Sequence, residues 1–118
     1  MKTVGIICEC NPYHGGHEYL MKRAREGGAD AIVCVMSGNF VQRGTPALLP
    51  VQVRAEAALA CGVDLVFQLP CRTAAATAQR FAAAGVAAAA AAGADVLVAG
   101  SAYFKATDRA EFVKTIQA

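Results

Sequence analysis

Four short runs of apolar residues constrain the fold of this chain more than any other feature. They span residues 3–9, 31–37, 63–69 and 95–100 and are rich in Val, Ile and Leu. Apolar residues follow one another within each run instead of alternating with polar ones, which is typical of strands that helices cover on both faces. We therefore predict a parallel sheet of four buried strands.

The segments between these runs have the periodicity of helices. One helix is predicted over residues 17–26, which Gly27 ends, and a second after Pro50, where Val53, Ala57 and Ala60 recur at helical spacing. The strands and helices then alternate along the chain.

A third helix is predicted over residues 74–92, which contain thirteen alanines. Alanine favours helix but buries little apolar surface. Either this helix packs so tightly on the sheet that only small side chains fit, or a coding bias has replaced larger residues. A last helix is predicted from the capping-box pattern of Asp108 and Glu111.

This alternation predicts one α/β domain over residues 1–118, with a doubly wound, Rossmann-like parallel sheet. Such sheets bind ligands beyond the carboxyl ends of their strands. The residues to inspect therefore follow the strands, in the segments "CNPYHGGH", "SGNFVQRG", "LPCRTA" and "GSAYF".

Composition limits the classes of function. The net charge of +2 does not by itself indicate a nucleic-acid partner. Five cysteines are an odd number, and the N-terminus lacks the pattern of a signal peptide, so we expect a reduced, cytoplasmic protein. Residues 81–104 are a poor membrane span, because Asp95 near the middle would cost roughly 2.5–3.5 kcal/mol on insertion. No membrane partner is expected.

Both histidines of the chain lie in the nine residues "ECNPYHGGH" (9–17). An Asn-Pro pair predicts a turn there, Gly15 and Gly16 allow a ligand to approach the backbone, and His17 falls in the first turn of a helix. Helix N-termini favour phosphate, and imidazoles can donate to phosphate oxygens. The pattern predicts an anion site; surface residues and a zinc site are the alternatives.

We predict no metal at this turn. No third ligand is evident beside the two histidines, and Cys8 and Cys10 are expected on the first strand as core residues.

The string His14-Gly15-Gly16-His17 resembles the HxGH signature of the HIGH-type nucleotidyltransferase superfamily. With "VMSGNFVQRGTPA" (35–47), "RAEAAL" (54–59) and "GVDLVFQLP" (62–70), residues 1–100 resemble the N-terminal portion of the bacterial tRNA(Met) cytidine acetate ligases. This resemblance implies a ligase that forms acetyl-adenylate and pyrophosphate from acetate and ATP. The acetyl group then passes to N4 of the wobble cytidine of elongator tRNA(Met).

His14 and His17 are the candidate catalytic residues, because charge develops on the oxygen between the α and β phosphates as that bond breaks. The resemblance implies further ATP contacts along one segment and at the end of the fourth strand. The complete predicted ATP-binding set is Ile7, Cys8, Glu9, Cys10, Asn11, Pro12, Tyr13, His14, Gly15, Gly16, His17, Glu18, Tyr19, Leu20 and Gly100. Mg²⁺ often accompanies ATP, but no residue pattern here indicates it.

The loop over residues 37–44 has two interpretations. In the first, its glycines bracket a turn and Arg43 is a solvated charge. In the second, its polar residues line the pocket or contact tRNA, and Arg43 offers a planar fork to phosphate. The candidates on the second interpretation are Ser37, Asn39, Gln42, Arg43 and, on the next helix, Arg54. Arg54 and Glu56 are otherwise a helix-surface pair.

The chain departs from the family pattern at several positions. Residues 50–52 replace an expected acid, lysine and aromatic residue, Ala76 and Thr77 stand where other polar residues are usual, and Ala102 replaces an acid. Family members are considerably longer, so we expect a nucleotide-binding domain truncated at its C-terminus. The alternatives are a non-catalytic remnant that associates through an exposed sheet edge, and another HIGH-type adenylyltransferase.

Overall fold

A computed structural model of the protein describes residues 1–42 and 44–98, except for the side chain of Ala78. The predicted helix at Asp108, as well as Gly100 and Arg43, lie outside the described residues. Strands and helices alternate in the order β1 (Thr3–Ile7), α1 (Gly15–Glu26), β2 (Ala31–Ser37), α2 (Val51–Ala60), β3 (Leu65–Leu69), α3 (Cys71–Ala74), α4 (Ala78–Ala91) and β4 (Val96–Val98).

The four strands form one parallel sheet in the order β3-β2-β1-β4, which confirms the predicted architecture. Ile6 of β1 lies opposite Cys34 of β2 on one side and Val98 of β4 on the other. The chain therefore winds outward from β1 in one direction through β2 and β3, and then crosses back to place β4 on the other side of β1.

Helices cover both faces of this sheet. On one face, residues of β1 and β2 pack against Met21 of α1 and against Val51 and Ala58 of α2. On the other face, strand residues pack against Ala74 of α3 and against Phe81 and other residues of α4. Two apolar clusters on opposite faces are what the continuous apolar runs predict, and β1 and β2 are buried. The prediction of four buried strands was wrong for β3 and β4, most of whose residues are exposed because these strands lie at the edges of the described sheet. No helix in the described residues is long and apolar enough to cross a membrane.

Several predicted boundaries were wrong, and β3, for example, begins at Leu65 rather than at residue 63. β1 ends at Ile7 rather than residue 9, because Cys10 adopts a left-handed φ of 48° that takes the chain out of the sheet. The first helix begins at Gly15, two residues early, since His14 caps it. The alanine-rich helix is two helices, because Thr77 has extended backbone and caps α4 through its hydroxyl.

The predicted buried face of the second helix was also wrong. Val53 is 46% exposed, whereas the buried residues of α2 are Val51, Arg54 and Ala58. The helix is rotated relative to the prediction because an arginine lies on its inner face.

Close packing between α4 and β1 accounts for the small residues on the inner side of α4. A methyl group built on Gly5 would lie 2.8 Å from Cβ of Ala89, and one built on Gly85 would lie 2.7 Å from Cγ2 of Ile7. The tight-packing interpretation is thus confirmed for the inner face. Packing gives no reason for the exposed alanines of this helix, Ala87, Ala90 and Ala91.

Gly85→Ala tests this close approach, because helix propensity and packing predict opposite signs. Alanine in a helix interior is favoured over glycine by roughly 0.5–1 kcal/mol, but overpacking a filled site costs about 1–3 kcal/mol. We expect a net loss of about 1–2 kcal/mol in the free energy of unfolding, measured by urea titration. The exposed control Ala87→Gly should lose about 1 kcal/mol through propensity alone. A Gly85→Ala variant more stable than the native chain would contradict the packing.

Candidate functional site

A cavity of about 490 Å³ opens at the carboxyl ends of β1 and β4. Ile7, the last residue of β1, and Val98, the last residue of β4, both line it. The strand order reverses at this point, because the chain leaves β1 toward β2 on one side and returns to β4 on the other. Open parallel sheets bind ligands at such a switch point, and the volume suits a small molecule.

Most of the predicted ATP-binding residues line this cavity. They are Ile7, Cys8, Glu9, Cys10, Asn11, Pro12, His14, His17 and Leu20, and Gln42 of the following loop joins them. The remaining described members of the predicted set do not line it, namely Tyr13, Gly15, Gly16, Glu18 and Tyr19. Phe81 and Val98 line the cavity without having been predicted, because only the folded sheet brings α4 and β4 to this edge.

The two histidines form a capping box at the start of α1. The backbone N–H of Gly16 donates to Nδ1 of His14 at 3.0 Å, and the backbone N–H of His14 donates to Nδ1 of His17 at 3.2 Å. A ring nitrogen that accepts a hydrogen bond carries no proton, so each neutral imidazole has its proton on Nε2. The turn therefore fixes the tautomer of both rings and leaves two Nε2–H donors.

The two imidazoles lie side by side. Their ring centroids are 4.0 Å apart, and Tyr13 stacks on His17 with centroids 5.2 Å apart. Burial lowers the pKa of His17, which favours the neutral ring that the capping box requires. His14 is exposed and His17 is half-buried. The pair thus presents donors at the positive end of a helix.

The two glycines of the turn have different roles. A methyl group on Gly16 would lie 2.8 Å from Cε1 of His14, so only glycine leaves room for that ring. A methyl group on Gly15 would meet nothing within 4 Å. Gly16 therefore holds His14 in place, whereas Gly15 leaves open space above the backbone.

The loop after β2 is fastened to the loop after β1. The backbone N–H of Gln42 donates to Oε1 of Glu9 at 2.7 Å, and that of Leu48 donates to Oδ1 of Asn11 at 2.7 Å. The Asn11-Pro12 peptide bond, in the predicted turn, is cis. These contacts bring Gln42 to the cavity, as predicted.

Two other residues predicted for this loop do not reach the cavity. Ser37 is fully buried at the end of β2. Asn39 lines a separate cavity, and its Oδ1 accepts from the backbone N–H of Val51 at 3.3 Å, where α2 begins. The Asn39 side chain thus contacts the start of α2, whereas the buried Ser37 hydroxyl has no hydrogen-bond partner among the described residues.

Arg54 is 1% exposed, so the surface position expected for it was wrong. Its guanidinium donates to main-chain carbonyl oxygens of Glu9 at 2.7 Å and Ser37 at 3.0 Å, and also to that of Gly38. Its Nε donates to the carbonyl of Leu49 at 3.0 Å. A pair with Glu56 and a direct contact with RNA are both incompatible with this burial. Arg54 holds the loops around the cavity.

Two thiols, those of Cys8 and Cys10, line the cavity next to His17, and the buried thiol of Cys34 lies beside them. Sγ of Cys8 is 2.8 Å from Sγ of Cys10 and 3.6 Å from Sγ of Cys34. The sulfur atoms of Cys8 and Cys10 and a ring nitrogen of His17 all lie within 4.8 Å of one another. The premise that no third ligand lies near the turn was therefore wrong, because β1 ends earlier than predicted and turns both cysteines toward His17.

The thiols share hydrogen bonds and so differ in acidity. Hydrogen bonds from Cys34 and Cys8 lower the pKa of Cys10 to about 4, whereas hydrogen bonding to Cys10 raises the pKa of Cys8 and that of Cys34. All five cysteines are free thiols. Cys10 is buried, as expected of a core residue, and it is also the thiol of the cluster that most readily forms a thiolate.

Comparison with known proteins identifies related sequences. Residues 1–118 match the family described as HIGH Nucleotidyl Transferase. The tRNA(Met) cytidine acetate ligase of Pediococcus pentosaceus is 47% identical over 86% of this chain, and that of Syntrophotalea carbinolica is 50% identical over 86%. The chain covers only 28% and 24% of those two proteins.

A solved structure is similar as well. The crystal structure of Thermotoga maritima TmcAL bound with alpha-thio ATP matches 80% of this chain, with a TM-score of 0.76 and 45% sequence identity. The matched part is 23% of that chain. The likeness thus extends over most of this chain and about a quarter of the neighbour.

Arg54→Met tests whether one guanidinium holds the loops. Methionine fills a similar volume but leaves buried carbonyl oxygens without donors, which costs about 1–3 kcal/mol for each group that stays dry. We expect the free energy of unfolding to fall by about 3 kcal/mol or more, measured by guanidinium titration. Lysine reaches fewer carbonyl groups than arginine, so the free energy of unfolding of Arg54→Lys should lie between those of the native chain and Arg54→Met. The exposed control Arg72→Met should change it by less than about 0.5 kcal/mol. Equal effects at positions 54 and 72 would contradict this role.

Proposed function

Because the chain belongs to the HIGH nucleotidyltransferase family, we propose that its cavity binds ATP and forms an acyl-adenylate. The whole protein is then an ATP-dependent ligase that activates acetate and transfers the acetyl group to N4 of the wobble cytidine of elongator tRNA(Met). The observation that carries this proposal is the pair of fixed Nε2–H donors of His14 and His17 at the switch-point cavity.

The chemistry of adenylate formation matches that pair. A carboxylate oxygen of acetate attacks the α-phosphorus of ATP, the bond from this phosphorus to the bridging oxygen breaks, and pyrophosphate leaves. Negative charge accumulates on the bridging oxygen as the bond breaks. Donors already in place at that oxygen stabilise the transition state more than the ground state, because they need no reorganisation. Ring centroids 4.0 Å apart allow the two histidines to donate to neighbouring phosphate oxygens.

The helix geometry supports the same assignment. His14 is the N-cap of α1, so bound phosphates would lie at the positive end of the helix dipole. Both rings are held by backbone amides of their own turn, so the donors need no further ordering when the nucleotide binds. We assign ATP contacts to the cavity-lining residues 7–12 and to Leu20, and retain Gly100 as a sequence-based candidate.

The transfer step rests on the relatives. The names of the matched proteins specify tRNA(Met), cytidine and acetate, and the chain covers about a quarter of their length. Within this chain, we propose Gln42 and its neighbour Arg43 as contacts at the cavity mouth, since Gln42 lines the cavity. Arg43 would offer a planar fork to a phosphate of ATP or of the RNA backbone.

A second candidate function is association through the sheet without catalysis. Apolar side chains of both edge strands of the described sheet are exposed, Leu65 at 45% and Phe67 at 40% on β3, and Val96 at 41% on β4. Exposed apolar edges favour pairing with another chain. A monomer that binds ATP in size-exclusion and calorimetry experiments would exclude this candidate.

His17→Ala should weaken ATP binding by at least about tenfold in isothermal titration calorimetry, because a hydrogen bond to a charged group contributes roughly 1.5–3 kcal/mol. His17→Gln retains an acceptor for the His14 amide and so separates loss of the imidazole donor from loss of the cap. We expect both variants to bind weakly and His17→Gln to remain the more stable. The control Cys71→Ser, an exposed position outside the cavity, should bind as the native chain does. Unchanged affinity in both His17 variants would refute the proposal.

The two glycines provide a matched pair. Gly16→Ala pushes the His14 ring out of place and should reduce ATP affinity by about tenfold, the effect of losing one donor to a charged group. Gly15→Ala adds its methyl group in open space and should change affinity by no more than about threefold, the size of an effect below about 0.7 kcal/mol. Circular dichroism would verify that both variants keep the fold. Equal losses from the two changes would show that backbone approach, and not His14, limits binding.

A further inference from the structure

The thiols beside His17 form a ligand set that adenylate formation does not use. Phosphate oxygens require hydrogen-bond donors, whereas thiolate sulfur atoms are metal ligands. Cys8 and Cys10 place two sulfur atoms in the wall of the cavity, within 4.8 Å of a ring nitrogen of His17. Cys34 adds a third sulfur 3.6 Å from that of Cys8. Cys10 also holds the left-handed φ of 48° that non-glycine residues seldom adopt. Backbone that is held in such a conformation is often found at ligand sites.

We propose that Cys8, Cys10 and His17 bind a thiophilic divalent cation such as Zn²⁺, with the Cys34 thiol next to that of Cys8. Two or three thiolates with one imidazole are ligand sets typical of tetrahedral zinc. Soft sulfur ligands select such ions over Mg²⁺ or Ca²⁺, which prefer oxygen.

The distances require only small movements. With Zn–S bonds near 2.3 Å and Zn–N bonds near 2.0 Å, the ligand atoms of a tetrahedral site are about 3.5–3.8 Å apart. Cys8 and Cys34 already satisfy this separation at 3.6 Å, while Cys8 and Cys10 at 2.8 Å must move apart. The His17 nitrogen, within 4.8 Å of both, must approach them. For Cys8, Cys10 and His17, each adjustment is about 1 Å, which side-chain rotation supplies.

Metal and nucleotide would compete for the same imidazole, a consequence that rests on the proposed ATP function. A metal needs a ring nitrogen without a proton, and in the neutral His17 ring that nitrogen is Nδ1, which accepts from the His14 amide. Binding through Nε2 instead would shift the proton to Nδ1 and break that hydrogen bond. Binding through Nε2 therefore removes the phosphate donor, whereas binding through Nδ1 displaces the His14 amide that orients the Nε2–H donor. In either case α1 loses half of its capping box.

Co²⁺ provides a direct probe, since thiolate ligation produces a charge-transfer absorption in the near ultraviolet. We expect the reduced chain to bind one equivalent of Co²⁺, with this absorption band, and Zn²⁺ to displace the Co²⁺ and abolish the band. Cys8→Ser and His17→Ala should each weaken binding by at least about tenfold, the scale of ligand-shell changes at metal sites. Cys71→Ser, at an exposed thiol outside the cluster, should bind as the native chain does. Cys8 is only half-buried, so its variant avoids the folding risk of changing Cys10.

The outcomes separate the two proposals. The metal site would be overturned if the reduced chain showed no thiolate band with Co²⁺, or if Cys8→Ser bound Co²⁺ as tightly as the native chain. It would also be overturned if Cys8 and Cys10 formed a disulfide and its reduction restored no metal binding. With the site established, Zn²⁺ should lower ATP affinity at least about tenfold in the native chain but not in Cys8→Ser. Binding of both ligands without mutual effect would overturn the competition. Failure of the metal-free chain to bind ATP would refute the proposed function alone, because the Co²⁺ band does not depend on it.

Discussion

The buried guanidinium of Arg54 connects the segments from which the cavity is built. Its donors reach main-chain carbonyls in the loop after β1, at the end of β2 and just before α2. Buried carbonyl groups need hydrogen-bond donors, because an unsatisfied buried carbonyl costs more free energy than a typical hydrogen bond contributes to stability. Arginine meets this need with five N–H groups in a planar fork, and it cannot lose its charge. One side chain thus fixes the exit of two strands relative to each other.

The geometry of the histidine pair follows from that anchor through the backbone. Arg54 holds the carbonyl of Glu9, and the Glu9 carboxylate accepts from the amide of Gln42, so the loop after β1 starts from a fixed position. The chain then turns at Cys10 and reaches His14, where α1 begins. From there the interactions are local, since each ring is oriented by an amide within three residues of it. Contacts between residues far apart in the sequence thus position the turn, and contacts within the turn orient the histidine donors.

This division explains how much the sequence could predict. The parallel sheet was predictable because strands buried on both faces are apolar whatever their partners are, and the HxGH turn was predictable because its contacts lie within a few residues. The partners of Arg54 are up to 45 residues away, and no periodicity signals them. For the same reason the inner face of α2 was assigned wrongly, since an arginine in a sequence is normally predicted to lie at the surface. The thiol cluster was missed because it depends on β1 ending at Ile7.

Charge in the cavity wall is set by the balance between Arg54 and Cys10. Among the described residues no carboxylate forms a salt bridge with Arg54, and a buried cation without a counter-charge is costly. Hydrogen bonds to Cys34 and Cys8 lower the pKa of Cys10 most, and Coulombic interactions with His17 and then with Arg54 lower it further. A Cys10 thiolate would therefore offset the charge of Arg54, and the N-terminus of α1 and the Nε2–H donors of the histidines would remain to bind phosphate. The same thiolate is a strong ligand for a soft cation. The group that offsets the charge of Arg54 is therefore also the group through which a metal would compete with the nucleotide.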